Sequence, residues 1–316
     1  MRIAVIILAI EGALEKLGTK EMHCALAVQS TVLKTVSDFM YARGVMQLLP
    51  VIISPITDPL CHSVYDARVP YCGTEFSLTK SMILHKQLAL ASPFRKAIYI
   101  VSPNVRLELP EKAGTGRHLL EFSQVDFELK HATAGEAMRF AEELFTEIFS
   151  RVASERCGEL ATLGCALPTF APRFIEKSSR ELAEKYGREW EAIESASATE
   201  PFWALDHERE FYDCEDPARA GHYLNYDLVY PRGFGEALSG GMREWQYPRL
   251  LERMQRAGTD SSLFGSYLEA AKKGLLQPSA GAGFGVERLV RFICGFKDVA
   301  DAAPFAKKPG QEKYAF

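Results

Sequence analysis

The stretch "HLLEFSQVDFELK" (residues 118 to 130) sets Phe122, Gln124, Asp126 and Glu128 in alternation with Val125, Phe127 and Leu129. A period of two fits only a strand whose two faces meet different surroundings. One face must join a core, and the other carries an aromatic ring, an amide and two carboxylates. A chain with this segment must place a sheet between an apolar layer and something polar. Taken alone, the polar face reads as a solvated, salt-bridged surface. In the preceding "NVRLE", Arg106 and Glu108 also share a face. We read residues 104 to 109 and 119 to 129 as antiparallel strands joined by the mobile, glycine-containing "PEKAGTGRH". Their pairing would bring Arg106 and Glu108 to the same polar face.

The rest of the chain supplies helices and more strands. "VQSTVLKTVSDFMYAR" (28 to 43) spaces Val28, Val32, Val36 and Met40 four apart and ends at Gly44, which predicts an amphipathic helix. "LTKSMILHKQLAL" (78 to 90) reads as a helix and "AIYIVS" (97 to 102) as a short buried strand. "AGEAMRFAEELFTEIFSRVAS" reads as a helix with Met138, Ala141, Phe145, Ile148, Phe149 and Val152 on one face. "YLNYDLVY" and "GFGEALSGG" read as strands, and "SAGAGFGVERLVRFICGF" as a glycine-rich turn feeding a helix. Residues 157 to 220 give the least legible pattern. Without repeats, low-complexity tracts or a linker, the 316 residues read as one α+β catalytic domain.

Composition narrows the function. A net charge of −4 carries no broad basic footprint for nucleic acid. The seven cysteines form no C-x-x-C pair, so a structural zinc is not expected, and scattered thiols suit a reducing cytoplasm. "IAVIILAI" near the N-terminus follows a single charge, Arg2, and is too short to span a bilayer. It reads as the start of a buried strand or helix, with a signal-peptide core as the alternative, and no membrane association is expected.

Two further segments carry chemistry. "GAGFGVER" (281 to 288) ends a glycine-rich stretch in Arg288, a combination suited to close backbone approach and phosphate binding. It lacks the Gly-Lys-Ser/Thr of a P-loop. "NYDLVYPRGFGEALSGGMREW" offers Asp227, Glu236, Ser239 and Arg243; acidic oxygens with a hydroxyl suit magnesium shared with phosphates.

In order along the chain, these segments resemble the signatures of class II aminoacyl-tRNA synthetases of the aspartyl/asparaginyl branch. "RLE…RHLLEFSQVDFE" looks like motif 2 and "GAGFGVERLV" like motif 3. "GEALSGGMRE" looks like that branch's "G-E-I-x-S-G-G-x-R". "LTKSMILHKQ" resembles its "L-x-x-S-x-Q-L-x-K-Q" helix, and the helix up to Gly44 resembles motif 1 more loosely. The resemblance implies an antiparallel sheet flanked by helices, in a homodimer that uses ATP and Mg2+. It implies that Arg106 holds the α-phosphate and the reacting carboxylate, and that Glu108 accepts from the adenine amino group. Phe122 and Arg288 would sandwich adenine, while His118 and Arg117 reach the terminal phosphates. Glu236 and Ser239, with Asp227, would hold magnesium. Lys86 and Arg243 would bind an aspartate side-chain carboxylate, and Asp126 the amino group.

Departures from that branch shape the expected reaction. Only residues 1 to 27 precede the motif 1 helix, too few for the branch's N-terminal anticodon-binding barrel, so tRNA is not expected as a partner. Ile83 stands where the branch has glutamine, and no glutamate for the amino group is evident, Asp58 being a poor match. "PFAKKPG" replaces "F-P-R-D". This pattern is similar to the archaeal-type asparagine synthetases, paralogues of the same core. The expectation is therefore amidation of aspartate by free ammonia through an aspartyl-adenylate, releasing AMP and diphosphate. Aspartate would lie reversed in its pocket, and Asp126 would handle the incoming ammonia. The alternative readings are a ligase joining the adenylate to another amine, or residual tRNA synthetase-type activity. A catalytically dead paralogue is disfavoured by the survival of Arg106, Glu108, Glu236, Ser239 and Arg288.

Overall fold

The computed structural model describes residues 2–168 and 173–311. Its strands are β1 (Met46–Leu48), β2 (Ile53–Ser54), β3 (Val64–Tyr65), β4 (Arg68–Tyr71), β5 (Thr74–Leu78), β6 (Ala97–Val105), β7 (Leu107–Glu108), β8 (Glu121–Lys130), β9 (Ile175–Ser178), β10 (Phe202–Leu205), β11 (Asn225–Tyr230), β12 (Gly235–Met242) and β13 (Ser279–Gly285). The helices are α1 (Arg2–Leu17), α2 (Lys20–Ala42), α3 (Ile83–Ala89), α4 (Ala134–Glu155), α5 (Cys157–Thr162), α6 (Ser179–Tyr186), α7 (Trp190–Ser197), α8 (Tyr247–Arg256), α9 (Gly265–Lys272) and α10 (Val286–Ile293).

An eight-stranded sheet in the order β1-β6-β8-β13-β12-β11-β10-β9 organises the molecule. Its interior pairs are antiparallel, and only the edge strands β1 and β9 pair in parallel. Strand β8 sits near its centre, and its alternation does what a period of two requires. Val125 and Phe127 point into the main core, both fully buried, and the polar set faces the other way. Helices α2 and α4 cover the core face. Thr19 caps α2 by accepting from Met22 N at 3.1 Å, and Val28, Val32, Val36 and Met40 are all buried. The helix ends at Gly44, whose φ of +67° favours glycine. The capping box between Thr133 and Glu136 starts α4, and the predicted apolar face from Met138 to Val152 is buried.

Two local expectations change. The partner of β8 is one long strand, Ala97–Val105, which absorbs "AIYIVS" and continues through Pro103. Strand β1 covers only Ile98 to Ile100, so Pro103 lies where β6 has no second neighbour. Residues Leu107 and Glu108 turn away and pair instead with Val64 and Tyr65. The connecting segment contains a 3-10 helix, Pro110–Thr115.

The second change concerns "SAGAGFG", which is a central strand rather than a turn. Gly281, Gly283 and Gly285 stand opposite Glu128, Asp126 and Gln124 on β8. A Cβ on Gly281 would lie 2.2 Å from Glu128 Oε2, and one on Gly283 would lie 2.2 Å from Gln124 Nε2. The β8 side chains lean across β13, and glycine is what leaves them room.

On that polar side, α3, α8 and α9 form a smaller apolar cluster around Phe211, Leu250 and Tyr267. Among the described residues no helix is long and apolar enough to cross a membrane.

Candidate active site

The polar face of the sheet is the floor of a cavity of about 210 Å³. Strand β8 contributes Phe122, Gln124 and Asp126, and the β6–β7 bend contributes Arg106 and Glu108. Lys86 enters from α3, Glu236 and Ser239 from β12, Arg243 from just beyond β12, Arg288 from α10, and Arg117 and His118 from the segment before β8. Every site residue expected from the sequence lines this one space except Asp227.

At the Phe122 end, Arg106 donates through Nε to Lys80 O at 3.1 Å, and its guanidinium carbon lies 5.2 Å from the Phe122 ring centroid. Glu108 Oε1 accepts from His62 Nε2 at 3.0 Å, while its buried Oε2 has no partner among the described residues. Burial pushes the Glu108 carboxyl up, but the His62 contact, with His118 and Arg106 nearby, brings it net below the usual carboxylate range. Arg117 pairs with Glu191 at 2.6 Å, and Arg288 pairs with Glu236 at 2.9 Å. Burial, with Arg288 and Arg117 close by, brings the His118 imidazole down to about 4. His118 is therefore neutral at pH 7, and can meet an anion through a hydrogen bond but not as an ion pair.

The Lys86 end is a closed net of charges. Lys86 Nζ donates to Asp126 Oδ1 at 2.8 Å and lies 3.5 Å from Glu128 Oε2. Arg243 donates to Glu128 at 3.1 Å, to Asp213 at 3.3 Å and to Gly281 O at 2.8 Å. Burial opposes the Arg243 charge, yet Glu128 and Asp213 hold its pKa above the ordinary value. Ser279 also donates to Glu128, which is fully buried. Lys86 and Arg243, expected to hold a substrate carboxylate, thus already have carboxylate partners within the chain. Asp126 Oδ2, by contrast, is buried in the cavity wall without a partner among the described residues.

The segment 206 to 216, illegible by periodicity, supplies the residues that sequence reading missed. Arg209 donates to Asp213 at 3.0 Å, Asp227 at 2.7 Å, Ser239 Oγ at 2.9 Å and Gly240 O at 2.8 Å. Glu210 is pushed up to about 7 by burial and by Asp213 and Asp58, against the pull of Arg209. Asp58 accepts from Ser81 Oγ at 2.7 Å and from the Tyr212 hydroxyl at 3.2 Å. The only sequence signal here was the density of charge beside aromatics in "DHEREFYD".

This arrangement bears on the metal. Asp227 is held by Arg209 and lies 3.4 Å from His207, so its expected role in binding magnesium does not fit. Among the described residues no group of three or more His, Cys, Asp or Glu side chains is placed to hold a metal ion. Glu236 and Ser239 line the cavity, but Glu236 pairs with Arg288 at 2.9 Å and Ser239 Oγ accepts from Arg209 at 2.9 Å, so both would have to leave those partners to meet an ion that brings phosphate ligands with it.

The chain resembles proteins of known kind over most of its length. It is 26% identical over 311 residues to the asparagine–tRNA ligase of Thermoplasma acidophilum, covering 92% of this chain and 70% of that protein. It is 29% identical over 324 residues to the asparagine–tRNA ligase of Sorangium cellulosum, again covering 92% and 70%. The solved asparaginyl-tRNA synthetase of Pyrococcus horikoshii, complexed with asparaginyl-adenylate, superposes with a TM-score of 0.84 at 24% identity over 93% of this chain and 70% of that one, a likeness of fold.

These relatives overturn two expectations. They are named as tRNA ligases, which corrects the reading of ammonia-dependent asparagine synthesis and the exclusion of tRNA as a partner. That reading leaned on a missing amino-group pocket. The cavity wall around Asp126 is acidic, with Asp58, Glu210 and Asp213 brought in from segments that carry no motif. The family model for class II tRNA synthetases (D, K and N) matches residues 11–309, and the chain belongs to that family of ATP-dependent ligases.

Proposed function

We propose that this chain activates asparagine with ATP and transfers it to tRNA, as its relatives' names describe for them. The carrying observation is the buried, unpartnered Asp126 Oδ2 beside a Lys86 and an Arg243 that already have carboxylate partners. Such a pocket accepts an ammonium group and a neutral amide. A second carboxylate, as in aspartate, would enter a net where acids already outnumber bases.

In this reading the amino acid's ammonium sits against Asp126, with Asp58 and Glu210 near it. Its α-carboxylate meets Arg106. The adenine ring lies between Phe122 and Arg288, its amino group donating to Glu108 Oε2. The carboxylate oxygen attacks the α-phosphorus, the bond to the diphosphate breaks, and Arg106 and Arg288 stabilise the charge on the phosphate oxygens. His118 donates a hydrogen bond to the departing phosphates. Magnesium, arriving with ATP, would screen phosphate charge, with Glu236 and Ser239 as its protein oxygens. A terminal tRNA hydroxyl then attacks the adenylate carbonyl and releases AMP. The exposed apolar side chains of Tyr41, Met46, Leu49 and Ile52 support self-association as a homodimer, which sedimentation tests.

Exchange of labelled diphosphate into ATP tests the amino acid, and charging of tRNA tests the acceptor. Asparagine is expected to support both. Exchange with aspartate alone, or adenylate formation with no tRNA product, would overturn the proposal.

A further inference from the structure

Glu108 is the buried carboxylate at the Phe122 end of the cavity, and only one of its oxygens is free. Its side chain is 3% exposed, Oε1 accepts from His62 Nε2 at 3.0 Å, and Oε2 has no partner among the described residues. His62 comes from far away in sequence. The small β3–β7 pairing, Val64 opposite Glu108 and Tyr65 opposite Leu107, brings it there by placing its segment beside that carboxylate. The same segment is pinned at its other end, where Asp58 accepts from Ser81 and Tyr212.

We infer that His62 is a positioning residue for base selection: by holding Oε1 it fixes Oε2 as a single hydrogen-bond acceptor facing the plane of the base. The inference rests on the proposed placement of adenine against Phe122 and goes beyond it. A carboxylate can turn about its last bond and offer either oxygen to a ligand. With one oxygen tied to an N–H donor, the other has one direction. A base lying on the Phe122 ring then meets a fixed acceptor at its edge. A 6-aminopurine presents an N–H there and makes the bond. A 6-oxopurine presents a carbonyl oxygen, and two acceptors face each other in a buried site, where an unmade bond costs most. Without His62, Glu108 is free to turn away from the carbonyl, so the penalty on the wrong base falls along with the reward for the right one. Either protonation state of the imidazole can supply the N–H at Nε2, so the device needs no charge on His62.

Titration calorimetry with ATP and with inosine triphosphate, on the whole chain and without amino acid, tests this directly. The unaltered protein is expected to prefer ATP. His62→Ala is expected to weaken ATP binding by about tenfold, from loss of a bond to a charged group, while inosine triphosphate changes by less than about twofold. His62→Gln, which keeps a donor of similar reach, should restore most of the preference. A merely structural role would weaken both nucleotides alike, and that result overturns the inference, as does a His62→Gln variant no better than His62→Ala. Preference lost in Glu108→Gln but kept in His62→Ala would leave the adenine reading standing and remove His62 from it. No preference in the unaltered chain would remove both.

Discussion

At the Phe122 end of the cavity, Arg106, Arg117 and Arg288 face Glu108 and Glu236, and several of these groups reach the solvent. At the Lys86 end, Lys86, Arg209 and Arg243 are enclosed by Asp126, Glu128, Asp213 and Asp227, and nearly all are buried. The first end has its arginines in partly exposed pairs, Arg117 with Glu191 and Arg288 with Glu236, whose side chains can move to a ligand. The second has its charges matched within the protein, with one carboxylate oxygen left over. Both ends lie on one sheet, yet they differ in what a lost residue should do. Removing a cation from the open end should damage chemistry and spare the fold. Removing one from the closed end should damage both.

The sharpest test of that contrast is Arg243→Ala. It takes from buried Glu128 and Asp213 the guanidinium they share, leaving only Lys86 at 3.5 Å from the one and Arg209 at 3.0 Å from the other, and the expected loss of stability is about 3 kcal/mol in denaturant unfolding. A variant that keeps its unfolding midpoint would break the comparison outright. Next is Arg106→Ala at the open end. Activation of the amino acid should fall roughly 10²–10³-fold in kcat, the scale of a lost transition-state donor, with the melting temperature nearly unchanged.

The smallest effect is a pH dependence at the closed end. The ordinary value for Glu210 is 4.5, and burial raises it in the fold to about 7. The folded state therefore holds that proton longer. Its contribution to stability is fully present below 4.5 and is lost as the pH rises toward 7. The same ionisation adds negative charge beside the proposed ammonium position, so KM for the amino acid should fall as the pH rises through about 7. Glu210→Gln should flatten both profiles, and an unchanged KM profile in that variant would separate Glu210 from the ligand.

The same contrast explains what could be read in advance. Phe122, Arg106 and Glu108 sit on extended segments whose alternation declares a face, and Arg288 closes a glycine-rich stretch. The open end was therefore legible from the sequence. Arg209, Glu210 and Asp213 sit on irregular backbone, where no period assigns a direction to a side chain, and Asp58 is brought in by the packing of a distant segment. The acidic surroundings of Asp126 were missed for that reason, and the expected reaction was drawn without them. Glycine misled in another way. Gly281, Gly283 and Gly285 suggested a turn because flexibility is glycine's commonest use, whereas at Gly281 and Gly283 the residue serves for its lack of a side chain.

That row of glycines also limits how such a site can change. Every substitution out of glycine adds at least a Cβ, and at Gly281 and Gly283 that atom would fall on a β8 side chain. No conservative step leads away from these positions. A new preference at this floor must start from the β8 partners, where Gln124 can be shortened or Asp126 exchanged into space that already exists. The two neighbouring strands thus have unequal histories open to them: β8 can be edited one residue at a time, and β13 can change only after β8 has withdrawn.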